Sequence, residues 1–143
     1  MLRRLRREWQ RGQGADPRLH SPMTSESRGD SLAYALAGCA HMLRHQKNTR
    51  IMAWSSAAAI ILGIWLEIEW RDWAILTLAI GLVWFGEFVN AAIEAAVNLS
   101  APQLHPLARL AKDVAAAAVL LAALVAAVVG ALILLPALLN QPA

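Results

Sequence analysis

Two long runs of apolar residues, 73–99 and 114–135, constrain this chain more than anything else in it, because each is long enough to cross a hydrocarbon core of about 30 Å. A third run, 51–66, is shorter, and Trp54, Trp65, Trp70 and Trp73 bracket it as aromatic rings do at membrane interfaces. Inside a bilayer the backbone amides of a single segment are satisfied by helix formation, so the three runs predict helices. With 58% hydrophobic and 16% charged residues in 143, the chain reads as an all-α integral membrane protein. Its spans are expected at 51–66, 73–99 and 109–135.

The middle run is interrupted by polar side chains in a pattern. Glu87, Asn90 and Glu94 follow one another at spacings of three and four, which places them on one narrow helical stripe. A carboxylate near the centre of a spanning helix costs about 2.5–3.5 kcal/mol on insertion scales, so its default reading is functional. At 1.5 Å per residue Glu87 lies about 21 Å along from Trp73 and Glu94 about 31 Å along. The first is expected in the inner leaflet and the second at its cytoplasmic edge. Their Cα atoms are about 10 Å apart along the axis, too far for a shared proton.

Charge is distributed unevenly. Ten of the thirteen Lys and Arg residues lie at or before Arg50, Arg109 and Lys112 follow the second span, and Arg71 stands among Glu67, Glu69 and Asp72. This is the positive-inside pattern, with the N-terminus and the 100–112 loop cytoplasmic and the 67–72 loop outside. It argues against a nucleic-acid partner despite a pI near 9.8. Cys39 is the single cysteine, which excludes an intramolecular disulfide and a CxxC metal site.

Residues 1–30 are polar, contain Gly, Pro and Ser, and show no apolar period, so a disordered cytoplasmic tail is expected. Leu2 to Arg7 resembles the charged start of a signal peptide, but no apolar region follows; weak attraction to anionic lipid suits it better. From Ser31 to Lys47 the residues Leu32, Ala35, Leu36, Cys39, Ala40 and Leu43 recur at helical spacing. This predicts an amphipathic helix on the cytoplasmic surface, 31–47, with Ser31 as its cap and Asn48 to Arg50 as the bend into the first span. Pro102 and Pro106 are expected to stop helices, with His105 between them as a solvated or capping residue. Asn98-Leu99-Ser100 matches a glycosylation sequon but falls on the expected inner face. Lys112 and Asp113 open the third span, the small residues Ala115 to Ala118 favour close helix packing, and Pro136 is expected to end it before a tail of 137–143.

An acid pair, an amide and a lysine at headgroup level suit three kinds of protein. One is a lipid phosphotransferase, which needs a divalent metal on the phosphates, a cation and a proton acceptor. The others are a proton-coupled transporter and a catalytically inactive membrane subunit. Flux without ATP consumption marks the second, and absence of ATP-dependent lipid labelling marks the third.

The residues Glu87-x-x-Asn90-x-Ala92-Ile93-Glu94, His105-Pro106-Leu107-Ala108, Ala111-Lys112-Asp113 and Ala116-x-Ala118-Val119-Leu120 resemble the prokaryotic diacylglycerol kinase family, which includes the undecaprenol kinases. Tyr34-Ala35, Ala37-Gly38, Arg44 and Asn48-x-Arg50-Ile51 extend the similarity, which runs from about Ser31 to Pro136. The resemblance implies a small kinase domain, 31–136, with one interfacial helix and three spans. It also implies a homotrimeric helical bundle in a bacterial inner membrane, ATP as phosphoryl donor, Mg2+, and a membrane lipid as substrate. It assigns Glu87 as the base on the lipid hydroxyl and Glu94 as a metal ligand in the ATP site. Asn90 becomes a supporting residue, Lys112 a ligand of the nucleotide phosphates, Asp113 part of the nucleotide site, and Tyr34 a neighbour of the adenine. Two positions depart from the family pattern: Gln46 stands where a second metal-binding Glu is common, and Asn98 where an Asp is. A glutamine brings a carbonyl but no charge. The similarity leans toward the undecaprenol-type branch at 48–51 and 105–108, and leaves diacylglycerol and undecaprenol both open as substrates.

Overall fold

The computed structural model describes residues 27–100 and 105–140, all but a few of them helical. The basic leader at 2–7, the tail as far as residue 26, Pro102 and the last three residues lie outside the described residues. The chain forms four helices: α1 (Arg28–His45), α2 (Lys47–Trp65), α3 (Trp70–Ser100) and α4 (Pro106–Leu139). The described residues fall into two units, dividing between His41 and Met42.

In the first unit, α1 starts earlier than the apolar period predicts. Ser27 caps it, not Ser31: the Asp30 amide donates to Ser27 Oγ at 3.1 Å, and the Ser27 amide donates to Asp30 Oδ2 at 3.1 Å. This reciprocal pair satisfies two amides that the first turn would otherwise leave bare, and so brings Arg28 to Asp30 out of the expected tail and into the helix. Ser31 lies in the first turn, its hydroxyl donating to the Ser27 carbonyl at 3.2 Å.

The second unit begins at the end of α1. The bend falls at Gln46, whose backbone is extended (φ −97°, ψ 121°), and not at Asn48 to Arg50, which are helical. The physical reason is burial. Thr49, in the first turn of α2, is completely buried.

The connection from α2 to α3 is also tighter than expected. Only Leu66 to Glu69 are non-helical, and Arg71 and Asp72 belong to the first turn of α3. Glu67 takes φ 50°, its amide donates to the Ile64 carbonyl at 3.2 Å, and the Ile68 amide donates to the Gly63 carbonyl at 3.2 Å. These are the two bonds of a Schellman ending, which puts its left-handed residue at the position glycine usually takes. Leu66, Ile68 and Leu76 then close a small apolar cluster with Trp73, Ile133, Leu134 and Ala137. Gly63 packs so near Trp73 that a Cβ there would lie 2.9 Å from Cη2 of the indole.

That cluster explains why Pro136 does not end α4. A proline removes one amide from the ladder, but the turn beyond it is held by Ala137 in the cluster and by the Asn140 amide on the Pro136 carbonyl at 3.1 Å. Pro106 likewise starts a helix and does not stop one: it occupies the first turn of α4, where no amide is needed, and His105 Nδ1 accepts from the Leu107 amide at 3.2 Å as the cap.

Helices α3 and α4, of 31 and 34 residues, are each long and apolar enough to cross a bilayer, and little of either is buried within the protein. Helix α2 has 19 residues, with Lys47 and Arg50 in its first turn. The main packing is α3 against α4, where Gly86 faces Val119 and Ala122, and Ala115 and Ala122 are buried. Small residues on both sides let the backbones approach, as packing between membrane helices requires. Replacing Glu67 with Gly is expected to raise stability by about 0.5–1 kcal/mol, since it relieves a left-handed side chain at the cost of a looser unfolded chain. Thermal unfolding in detergent micelles measures this.

Candidate active site

The polar stripe of α3 and the first turns of α4 meet on one side of the α3–α4 seam. Lys112 Nζ lies 3.1 Å from Glu94 Oε1 and donates to Asn98 Oδ1 at 3.3 Å. Two antiparallel helices thus bring together three residues that sequence reasoning placed in one site. The ion pair is half-exposed, with side-chain accessibilities of 37% for Lys112 and 46% for Glu94, so its partners can be exchanged for those of a solute.

Two turns before Glu94 on α3, Glu87 is enclosed. It is only 3% exposed, and its Oε2 has no hydrogen-bond partner. An unmatched buried carboxyl oxygen costs on the order of 1–3 kcal/mol, more if charged, so a protein that retains one gives up stability there. Asn90, half-buried, lies between the two acids on the same stripe. The stripe therefore grades from a dry end at Glu87 to a wet end at Glu94 and Asn98.

The remaining candidates lie further out. Asp113 faces Arg109 across one helical turn at 3.8 Å, with both side chains largely exposed, a pair that contributes little to stability. Gln46 is half-buried at the start of α2, and its side chain makes no capping bond there. Tyr34 is exposed on α1, in the unit that ends at His41.

The donor set can be weighed against magnesium. Among the described residues no three His, Cys, Asp or Glu side chains cluster, so a cage made wholly of protein is absent there. Magnesium usually keeps several waters and takes one or two carboxylates plus substrate phosphates. A single accessible carboxylate at Glu94 beside a lysine fits that mode.

Sequence reasoning missed two features of this region. Thr49 is fully buried with its hydroxyl unpartnered, and the Trp84 indole donates to Ser56 Oγ at 3.1 Å, tying α2 to α3. The signal was present: Thr49, Ser56 and Gly63 recur at intervals of seven, a seam of small residues down one face of α2.

A model of the prokaryotic diacylglycerol kinase family matches residues 33–134. The chain belongs to that family. It is 42% identical over 111 residues to a diacylglycerol kinase of Synechocystis, covering 77% of this chain and 63% of that protein. It is 37% identical over 108 residues to the undecaprenol kinase of Bacillus subtilis, covering 76% of this chain and 88% of that protein. The diacylglycerol kinase of Escherichia coli K12 is 34% identical over 76 residues, 53% of this chain and 62% of that protein. The matched stretch thus spans less than two thirds of two of these relatives. All three matches are to lipid kinases, and the chain is a membrane protein carrying two candidate spanning helices.

The two ends of the stripe differ in what the loss of a charged side chain there should do to the fold. Lys112→Met removes a half-exposed ion pair and is expected to change stability by less than about 1 kcal/mol. Glu87→Met removes the buried unmatched oxygen and is expected to raise stability by about 1 kcal/mol. Thermal midpoints of the purified variants in one detergent measure both.

Proposed function

We propose that this protein is an ATP-dependent lipid kinase that phosphorylates the hydroxyl of diacylglycerol or undecaprenol at the inner face of a bacterial plasma membrane. The observation that carries this reading is the graded stripe: a buried, unmatched carboxyl at Glu87 and, two turns along, an accessible carboxylate at Glu94 held by Lys112. A lipid alcohol comes from the apolar side and a nucleotide from the aqueous side, and the stripe offers each a suitable end. The names of the relatives, two diacylglycerol kinases and one undecaprenol kinase, support the same class of acceptor.

On this reading Glu87 accepts the proton of the lipid hydroxyl. The hydroxyl oxygen forms its bond to the γ-phosphorus as the bond from phosphorus to the β-phosphate oxygen breaks, and ADP departs. Lys112 exchanges Glu94 and Asn98 for phosphate oxygens and offsets the charge that develops on them. Glu94, with Gln46 contributing a neutral carbonyl, would hold a magnesium ion there. Such an ion would supply positive charge to offset that of the phosphates. Asn90 supports the stripe, Asp113 borders the nucleotide site, and Tyr34 is the proposed neighbour of the adenine.

The same reading takes α2 as a third span, shortened by interfacial Trp54, Trp65 and Trp70, all strongly exposed. It takes α1 as a surface helix with its exposed Leu32, Leu36 and Leu43 toward lipid, and the N-terminus as cytoplasmic. It takes the assembly as a homotrimer, in which association shields the polar stripe from lipid while its wet end opens to the cytosol. Residues 31–136 form the kinase domain.

Purified protein supplied with labelled ATP and each lipid in turn tests the function directly. Glu87→Gln is expected to lower turnover by about 100-fold or more with little change in the KM for ATP, as loss of a general base does. Glu94→Gln is expected to raise the magnesium concentration needed for half-maximal rate. Wild-type turnover in both variants, or no labelling of either lipid by the wild type, refutes the reading.

A further inference from the structure

We infer that the Thr49 hydroxyl and the Glu87 carboxyl together form the seat of the lipid's acceptor hydroxyl, so that Thr49 is a direct ligand of the substrate. This rests on the lipid kinase reading above and assigns that site a residue on a second helix.

Among the described residues two buried side chains carry an oxygen without a hydrogen-bond partner, Thr49 Oγ1 and Glu87 Oε2. They belong to facing helices, and two contacts fix the antiparallel register of those helices. Gly63 packs on Trp73, and Ser56 bonds to Trp84. Fourteen residues back from Gly63 along α2 is Thr49, and fourteen residues on from Trp73 along α3 is Glu87. Counted from the Ser56–Trp84 bond, seven residues on each helix pair Thr49 with Ala91. The two contacts therefore bracket Thr49 at the level of Glu87 to Ala91, within about one helical turn. Both residues sit on the inward faces of their helices, since Ser56 and Gly63 share the stripe of Thr49, and Trp84 lies one turn from Glu87.

Two unmatched oxygens on facing helices at one level call for a small polar guest with both donor and acceptor capacity. A primary alcohol is such a guest. Its proton is donated to Glu87, one lone pair accepts from the Thr49 hydroxyl, and the other remains for the γ-phosphorus. In the transfer the alcohol's O–H bond breaks toward Glu87 and its new bond to phosphorus forms as ADP leaves.

A second observation places the rest of the lipid. A cleft of about 420 Å³ opens among α2, α3 and α4, lined by Met52, Ser56, Ala79, Val83, Ala126 and Gly130 among others. Met52 is one turn from Thr49 and Val83 one turn from Glu87, so the apolar cleft begins next to the polar seat. A single hydrocarbon chain attached to the bound hydroxyl is the occupant this arrangement fits.

Thr49→Val, Thr49→Ser and Glu87→Gln, purified in detergent micelles and assayed with labelled ATP and each lipid, test the inference. Thr49→Val keeps the shape and removes the hydroxyl. It is expected to lower kcat/KM for the lipid by about tenfold to a hundredfold, the range for losing a hydrogen bond to a reacting group, with the KM for ATP held within about twofold. Its thermal midpoint is expected to equal or exceed that of the wild type, because an unmatched buried hydroxyl has been removed. Thr49→Ser is expected to restore most of the lipid kinetics. Wild-type kinetics in Thr49→Val, equal impairment in Thr49→Ser and Thr49→Val, or a lowered midpoint accompanying the lost activity would each overturn the inference in favour of packing. A defective Glu87→Gln beside a normal Thr49→Val removes this inference and leaves the proposed function standing, whereas no labelling of either lipid by the wild type removes both.

Discussion

An oxygen enclosed by apolar helices either finds a partner or remains at a cost, and in this protein the carboxyl of Glu87 remains at that cost. The surrounding structure shows what holds it there. Gly86, next in the chain, lets α4 approach at Val119 and Ala122, and the alanines at 115 and 122 are buried in the same seam. A close seam of small residues has no side chain long enough to supply the missing hydrogen bond. The tightness that makes α3 and α4 adhere is therefore also what leaves Glu87 unmatched.

The same seam sets the wet end. Once Gly86 is level with Val119 and Ala122, antiparallel progression carries Glu94 and Asn98 to Lys112, where the lysine bridges an acid and an amide. The dry and wet ends are thus not independent features. A shift of the seam by one turn would separate Lys112 from Glu94 and Asn98, breaking the contacts that tie the two helices at that end. Stability and site geometry are coupled through the register of two helices, which explains how a small chain can maintain a graded polar stripe in an apolar medium.

How much of this was legible in the letters differs from residue to residue. The spacing of Glu87, Asn90 and Glu94 follows from the helical period, so the stripe was readable, and Lys112 could be placed near it because a short connection forces α3 and α4 to be antiparallel neighbours. The ends of helices were read less well. Asp30 was counted as tail because capping-box bonds depend on a residue, Ser27, that carries no apolar signal. Pro136 was read as a terminus because the rule for proline considers the lost amide and not the packing of Ala137 beyond it. The bend was misplaced by a few residues because extended geometry at Gln46 has no compositional mark. Thr49 was passed over since, between Asn48 and Arg50, it reads as part of a polar bend; its burial and unmatched hydroxyl are properties of the packed helices and not of the letters.

The departures at 46 and 98 acquire a consistent sense on the proposed reading. Asn98 accepts a hydrogen bond from Lys112 through a neutral amide, where an aspartate would add a second negative charge to the one on Glu94. Charge-assisted hydrogen bonds are roughly twice as strong as neutral ones, so a lysine held by one acid and one amide yields to phosphate oxygens more readily than one held by two acids. On that reading Gln46 would lower the negative charge of the proposed metal site in the same direction and leave more of the coordination to the nucleotide. Both substitutions move attraction away from the resting protein and toward the bound nucleotide. They are the changes expected of a site that assembles around its substrate and not of one that has lost its chemistry, because Glu87, Glu94 and Lys112, which face substrate and phosphate in the proposed mechanism, are all retained.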